Sequence, residues 1–426
     1  MSRIYKNVAV WDAQRSKAEF CDVAVEGTEF KKVAPVGSLN GENCFDGKGK
    51  TAMLPGFVNA HGHASMTLLR GLGEDLPLME WLQKRIWPVE ERLNKVFVKA
   101  GAKQAMLEMI STGTTCFADM YFFMDGVAEA ALETGMRCGL SRGMIDDKDG
   151  EKLRDNIKLA ENFNGAGGGL VSVQLGPHAP YTMTFYMLRN VAEVAISKRL
   201  GVQLHWLETK DEWKNTSMSG TMTPEQCLEN SGLTRVKQLV LSHCVWLDES
   251  RLGFYKKDNI TLVNNPKSNL KLGSGVAPVA KYLKAGLKVA LGTDGASSNN
   301  SLDMWEEMRF AALVQKGYFM DPVQLKAEEA LKMATYAGAQ ALGFEKCGLI
   351  KEGWKADFML VDLDAPQYMG WNEENLAGYL VYSGSSKDVQ TTVVNGKTLY
   401  ERGGFTTLDK EKVIAEALSA RGEMTK

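Results

Sequence analysis

The run AMLPGFVNAHGH, residues 52–63, decides the fold, because an apolar strand-sized stretch ends in two histidines one residue apart. Side chains two positions apart on a strand point to the same side of the sheet. His61 and His63 are therefore expected to aim their imidazoles at one point, which is how a chelate is built.

Seven more apolar runs follow before residue 300, and helix-like stretches separate them. Strand-sized runs that alternate with helices indicate a parallel sheet buried on both faces. Eight such units predict an α/β fold, a closed (β/α)8 TIM-type barrel. The eight runs are AMLPGFVNAHGH, TTCFADMY, MRCGLSRGMI, LVSVQLGPHAP, VQLHWLE, QLVLSHC, ITLVNNP and KVALGTDG.

The pattern changes toward both ends of the chain. Short runs broken by glycine and asparagine near the N-terminus resemble strands after residue 355, where Asn395-Gly396 is a hairpin signal. We predict a small β-sandwich domain from residues 1–50 and 355–405, a barrel over 51–354 and a helix over 406–426. Between the strands, NKVFVKAGAKQAMLEMISTG is typical of a helix that stops at Gly113, and SLDMWEEMRFAALVQKG opens with a serine suited to an N-cap, Ser301.

Composition narrows the function. A formal net charge of -2 with dispersed lysine and arginine predicts neither nucleic-acid binding nor a membrane patch, and no apolar segment resembles a signal peptide or a membrane span. Seven scattered cysteines without a C-x-x-C pair favour reduced thiols in the cytoplasm. A small-molecule partner is expected, and a homo-oligomer is the general default.

The polar strand ends predict a metal site. In a barrel the active site lies at the C-terminal ends of the strands, and all five histidines lie there. A single histidine in that position is more often a hydrogen-bonded core residue. His61 and His63 from the first strand, His205 from the fifth and Asp294 from the eighth would nevertheless converge at one mouth and leave a position for water. We expect one divalent metal ion there.

Two further residues at strand ends are candidates for proton chemistry. Glu208 follows His205 by three residues, in HWLE, where a carboxylate can take a proton from a metal-activated water and deliver it to a substrate. His243 ends the sixth strand and could hydrogen-bond the attacking hydroxide, or it could be structural.

Six blocks of this chain, in order, resemble the amidohydrolase superfamily and, within it, the 5'-methylthioadenosine/S-adenosylhomocysteine deaminases. The resemblance implies the same ligands, Glu208 as proton carrier, and His243 and Asp294 as catalytic partners of the hydroxide. Binuclear members of the superfamily carry a carboxylated lysine at the end of strand four, where this chain has His178, so one metal is implied. The blocks are PGFVNAHGHASMTLLRGLGEDLPLMEWL, GPHAPYT, LHWLETKDE, LSHCV, NNPKSNLKLGSGVAPV and LGTDGASSNNSLDMWEEMR.

The resemblance also implies substrate contacts. Glu90 would accept hydrogen bonds from the ribose hydroxyls, with Trp81 nearby and His178 against the nucleoside. Arg142 resembles an arginine that faces the homocysteine carboxylate. A second cation is expected in GEKLRDN, and the two candidates within this acidic loop are Lys152 and Arg154.

The function implied is hydrolytic deamination of an adenine nucleoside at C6, with 5'-methylthioadenosine, S-adenosylhomocysteine, adenosine or 5'-deoxyadenosine as substrates. Alternatives are deamination or dechlorination of another N-heterocycle, such as guanine, cytosine, a pterin or an s-triazine, or a non-catalytic barrel scaffold. Zinc is the expected metal, although histidine and carboxylate ligands also accept iron, manganese or nickel.

Overall fold

The computed structural model describes residues 2–146 and 149–426, and eight parallel strands form its central sheet. Each strand pairs with the next one in chain order, so the predicted barrel is confirmed. Every one of the eight predicted runs overlaps one of these strands. In order they are Phe57–Asn59, Thr114–Tyr121, Arg137–Met144, Val171–Pro177, Gly201–Trp206, Leu239–His243, Ile260–Asn264 and Val289–Leu291; they are called the first to eighth barrel strands below.

The barrel closes where its two chelating segments meet. The Ala60 amide donates to the Leu291 carbonyl over 2.9 Å, joining the first strand to the eighth. Just beyond, Gly62–His63 and Asp294–Gly295 form a short parallel pair, with Asp294 opposite Gly62. Closure therefore brings the H-x-H pair beside Asp294.

The first apolar run is two strands rather than one. Thr51–Pro55 pairs antiparallel with Phe358–Asp362 in the terminal sheet, and only Phe57–Asn59 belongs to the barrel. Gly56 lies between the two strands. The position needs a glycine, because a Cβ there would lie 2.0 Å from the Thr115 side chain. The strand over residues 51–55, which we placed with the barrel, therefore belongs to the terminal unit.

Strands from both termini form one mixed nine-stranded sheet, which confirms that the small domain is built from both ends of the chain. The Asn395-Gly396 hairpin is also confirmed, since both residues have positive φ. The buried Arg137 Nε lies 2.6 Å from Asp357 Oδ2 and fastens the barrel to this sheet. The exact domain limits stay a prediction. The strands are Ser2–Val10, Glu19–Glu26, Glu29–Pro35, Cys44–Asp46, Thr51–Pro55, Phe358–Asp362, Val389–Val394, Lys397–Glu401 and Gly404–Phe405.

Helices surround the barrel at the predicted places. The helix predicted from Asn94 runs over Lys95–Ser111, and the Asn94 side chain caps it. Our expectation of a serine cap at Ser301 is wrong, since Asp303 accepts the hydrogen bond that starts the next large helix. The main helices are Lys95–Ser111, Met124–Thr134, Glu151–Phe163, Phe185–Lys198, Pro224–Ser231, Met304–Phe319, Leu376–Tyr382 and Lys410–Met424.

Two segments close the ends of the barrel. At the N-terminal end, residues 327–341 form helix Ala327–Lys332, a π-helical turn Met333–Ala337 and helix Gly338–Ala341, whose small side chains pack inside the barrel. At the C-terminal end, residues 64–94 cross the mouth as short helical turns. Within the described part of the chain, no helix combines the length and apolar character needed to span a bilayer.

Candidate active site

The four predicted metal ligands lie together at the C-terminal mouth. Asp294 Oδ1 is 3.1 Å from His63 Nε2 and 3.5 Å from His61 Nε2. His205 Nε2 is 3.4 Å from His63 Nε2. Three strand ends of the barrel thus bring nitrogen and oxygen donors to one point, as the sequence predicts.

Hydrogen bonds fix which nitrogen each histidine presents. His63 Nδ1 lies 2.6 Å from the Met120 carbonyl, and His205 Nδ1 lies 2.7 Å from the His178 carbonyl. A carbonyl only accepts, so both Nδ1 atoms carry the proton and both Nε2 atoms keep a lone pair for a metal. Such backbone partners are the usual orienters of metal-binding histidines.

His61 gives an independent test of the metal fit. Its side chain is fully buried, and neither ring nitrogen has a hydrogen-bond partner among the residues that the structure describes. An unpaired buried polar atom is costly, and a metal ion would satisfy the nitrogen that faces Asp294. The donor set, three imidazoles and one carboxylate, fits a divalent transition metal.

Asp294 is held from its far side by two serines. Its Oδ2 accepts hydrogen bonds from Ser268 Oγ at 2.6 Å and from Ser298 Oγ at 2.8 Å. Oδ1 is thereby turned toward the histidines. Although burial opposes ionisation, the imidazoles of His61 and His63 hold the pKa of Asp294 well below its usual range.

Strained backbone accompanies these functional positions. Three residues have a positive φ, in the left-handed region that residues other than glycine rarely adopt. They are Leu207 at +50°, His243 at +71° and Asp294 at +62°. Such conformations persist only where surrounding contacts hold them, and they cluster at active sites. Each one lies at or beside the end of a barrel strand, where it redirects a polar side chain toward the mouth.

Glu208 and His243 lie beside the ligand cluster. Glu208 is 4 % exposed, its Oε1 accepts from Ser274 Oγ at 3.1 Å, and its Oε2 is 4.0 Å from His243 Nε2. His243 Nδ1 is 2.8 Å from Asn269 Oδ1, which leaves Nε2 toward the mouth. Burial raises the pKa of the Glu208 carboxyl, so this group holds a proton more readily than an ordinary glutamate.

A cavity of about 550 Å³ opens above the cluster, and three residues that are predicted to contact the substrate line it. Trp81 and Glu90 line it from the segment over the mouth, and His178 lines it from the fourth strand. Tyr121 Oη donates to Glu90 Oε1 over 2.5 Å and fixes that carboxylate. Burial lowers the pKa of His178 to about 4, so its imidazole is neutral near pH 7.

Arg142 is placed differently from the other predicted contacts. Its Nε lies 3.3 Å from Asp155 Oδ2, and it is not among the described residues that line the cavity. Lys152 lines the cavity, whereas the exposed Arg154 donates to the Asp149 carbonyl. Of the acidic residues in this loop, Asp147 lies outside the described residues.

Comparisons with known proteins agree with this geometry. The model of the amidohydrolase family matches residues 52–399. The chain belongs to this family. It is 45 % identical over 383 residues, 89 % of each chain, to the 5-methylthioadenosine/S-adenosylhomocysteine deaminase of Dictyoglomus thermophilum. It is 41 % identical to the enzyme of that name from Carboxydothermus hydrogenoformans, over 97 % of this chain and 96 % of the other.

A solved structure shows the same architecture. An adenosine deaminase from Xanthomonas campestris with bound zinc superposes with a TM-score of 0.93 at 31 % identity, over 99 % of this chain and 98 % of that one. This amidohydrolase is therefore a metal-dependent hydrolytic enzyme of the 5-methylthioadenosine/S-adenosylhomocysteine deaminase family, as the sequence blocks imply.

Several residues that shape the site of this amidohydrolase are not predicted from the sequence. Ser268 and Ser298 hold Asp294, Tyr121 holds Glu90, and Glu212 accepts from the backbone at Glu208. Two of these partners are local, since Ser298 follows Asp294 by four residues within a short helix and Glu212 follows Glu208 by four residues. Ser268 and Tyr121 come from separate elements, so no spacing in the sequence indicates them.

Proposed function

We propose that this amidohydrolase deaminates adenine nucleosides at C6, with 5'-methylthioadenosine and S-adenosylhomocysteine as its substrates. Water replaces the exocyclic amino group, so the products are the inosine analogue and ammonia. The observation that carries the proposal is one cavity shared by the metal cluster, the buried Glu208 and the Glu90 carboxylate. The names of the relatives support the substrate class.

His61, His63, His205 and Asp294 would hold one divalent metal, for which we propose zinc, the ion in the similar adenosine deaminase structure. A metal in that position acidifies a bound water and orients it as the nucleophile. Because all four side chains stand on or beside strand ends, their geometry is set before the substrate arrives.

Glu208 would carry the protons. Its carboxylate accepts a proton from the attacking water and delivers it to N1 of the purine, which makes C6 electrophilic. The hydroxyl added at C6 then loses its proton, which Glu208 passes to the exocyclic nitrogen, so that ammonia leaves while the C6 carbonyl forms. The raised pKa of Glu208 suits a group that must both take and give a proton near neutral pH.

His243 and Asp294 would stabilise the charge that develops at C6. The Asn269 contact holds the His243 ring, and the two serines hold the Asp294 carboxylate, so neither group has to reorganise during the reaction. Preorganised donors and acceptors in a buried site contribute more to catalysis than the same groups in water.

Glu90 favours a nucleoside over a free base. Its two carboxylate oxygens suit a vicinal diol, and Tyr121 already fixes one of them. We therefore propose that the substrates are ribonucleosides. The same metal chemistry would also serve guanine, cytosine, pterin or s-triazine rings. His178 and Trp81 would contact the nucleoside, and Arg142 or Lys152 the homocysteine carboxylate of S-adenosylhomocysteine. For the surroundings of the enzyme we propose the cytoplasm, supported by seven free thiols.

The replacement Glu208→Gln tests the proton-transfer role. The amide is nearly isosteric but carries no proton, so kcat for ammonia release from 5'-methylthioadenosine should fall by about 10²–10⁴-fold while the metal is retained. Elemental analysis and an ammonia assay on both proteins give the result. Near-normal turnover in Glu208→Gln would remove Glu208 from the mechanism. If the wild-type protein releases ammonia from guanine but not from any adenine nucleoside, the proposed substrate is wrong.

A further inference from the structure

Glu212 lies directly behind the turn that carries Glu208. Its side chain is 3 % exposed, and it extends back along the chain toward the end of the fifth strand. Glu212 Oε1 accepts the Leu207 amide at 2.9 Å, and Oε2 accepts the Glu208 amide at 2.7 Å. One carboxylate therefore holds two consecutive backbone N–H groups.

The turn needs such a partner because it is strained. Leu207 has a φ of +50°, in the left-handed region that is unfavourable for a leucine. The Val245 and Trp246 amides both donate to the Leu207 carbonyl at 3.0 Å, so the opposite side of the same peptide is also fastened. Contacts on both sides of Leu207 thus set the direction in which Glu208 leaves the strand.

A carboxylate is the side chain that fits this position. Both backbone groups are donors, and both oxygens of an ionised carboxylate accept. A glutamine would accept one N–H and present its own NH2 to the other, which places two donors face to face. Burial and then the charge of Glu208 raise the pKa of Glu212 to about 7, whereas the hydrogen bonds from the Glu208 and Leu207 amides lower it and so favour the ionised form. Because the side chain is 3 % exposed, losing one of these hydrogen bonds is costly.

We propose that Glu212 is a positioning residue, which holds the Leu207–Glu208 turn so that the Glu208 carboxylate reaches the water and the purine ring. The inference rests on the proposed function only through the role of Glu208. Among the described residues, Glu212 is not part of the cavity lining, and its two side-chain hydrogen bonds go to backbone amides.

The test compares Glu212→Gln, Glu208→Gln and the double variant. Misplacement of a reacting group by about 1 Å can cost roughly 10²-fold, so we expect Glu212→Gln to lower kcat by about that factor. KM should stay within about threefold, since Glu90, Trp81 and His178 are untouched, and one metal should be retained. In the Glu208→Gln background the second replacement should lower kcat by less than about twofold, because residues that act as a unit are not additive.

A matched control is Glu225→Gln. Glu225 is 5 % exposed and accepts from Tyr255 Oη at 3.0 Å, outside the residues that line the cavity. Its replacement should leave kcat within about twofold of the wild type. If Glu212→Gln lowers kcat equally in both backgrounds, or leaves it unchanged, the positioning role is wrong.

Two provisions keep the test decisive. If Glu212→Gln does not fold, hydrogen exchange on the wild-type protein replaces it: the Leu207 and Glu208 amides should be as protected as those of the fifth strand, and fast exchange would overturn the inference. If the wild type deaminates another heterocycle instead of a nucleoside, the substrate proposal fails. The same comparison on that heterocycle then still decides the role of Glu212.

Discussion

Removing the Ser268 hydroxyl should weaken metal binding without touching a metal ligand. Ser268 is fully buried, and its Oγ lies 2.6 Å from Asp294 Oδ2. In Ser268→Ala the carboxylate keeps only the Ser298 hydrogen bond on that side, at 2.8 Å. Asp294 Oδ1 is then less firmly directed at the position where it meets His61 and His63.

The magnitude follows from the chemistry of that bond. A hydrogen bond to a charged group contributes about 1.5–3 kcal/mol, and each 1.4 kcal/mol is about tenfold in an equilibrium constant. Part of this loss falls on the stability of the folded chain and part on metal affinity. Because Ser298 still holds Oδ2, we expect the dissociation constant of the metal to rise by roughly 10- to 100-fold, the range typical of residues that orient metal ligands.

The assay is competition with a chelator of known zinc affinity, after elemental analysis has established that the wild-type protein binds one equivalent. Ser231→Ala is the matched control, since Ser231 is also buried but donates to the Leu228 carbonyl at 3.2 Å within a helix remote from the ligands. A folded Ser268→Ala protein with a dissociation constant within twofold of the wild type would refute the reasoning. Two retained equivalents of metal would contradict the single site.

Three further outcomes are expected. Glu90→Ala should lower kcat/KM for ribonucleosides by roughly 10- to 100-fold, about 1.5–3 kcal/mol, and leave kcat/KM for any free base unchanged. An equal loss of kcat/KM on nucleosides and free bases, or the same loss in the neighbouring control Glu91→Ala, would show that Glu90 supports the fold instead. Because Asp155 engages Arg142, kcat/KM for 5'-methylthioadenosine should at least match that for S-adenosylhomocysteine; a tenfold preference for the latter that survives Arg142→Ala would be inconsistent with this ranking and with the role of Arg142. Burial raises the pKa of Glu307 from 4.5 to about 8, so the stability of the wild type falls as pH rises between these two values and is constant above them. The melting temperature of Glu307→Gln should therefore gain on that of the wild type between about pH 4.5 and 8, and a constant difference over this range would argue against the shift.

The sequence by itself determined the barrel and the place where the four proposed metal ligands meet. Strand alternation and apolar runs are local properties, and they marked all eight barrel strands. The rule that strand ends share one mouth then brought His61, His63, His205 and Asp294 together without any knowledge of side-chain packing. Glu208 followed in the same way, because it lies three residues past a ligand and immediately beyond the strand.

Only the tertiary structure decided which partners hold those groups. Ser268 and Asp294 lie 26 positions apart, and the Glu90 and Tyr121 side chains meet from different elements. The division of the first apolar run at Gly56 depended on the approach of the Thr115 side chain. A hydrogen bond between distant residues leaves no periodic trace in a single sequence, because it depends on how separate elements pack.

The direction of the Arg142 side chain is another feature that the sequence alone does not determine. Its position at the end of the third strand predicted a cation at the mouth, and the strand is where the sequence placed it. The direction of the side chain was set by Asp155 on the following helix, at 3.3 Å. Local pattern fixes which residues reach the mouth of the barrel, whereas long-range charge pairing and packing fix where a long, flexible side chain points.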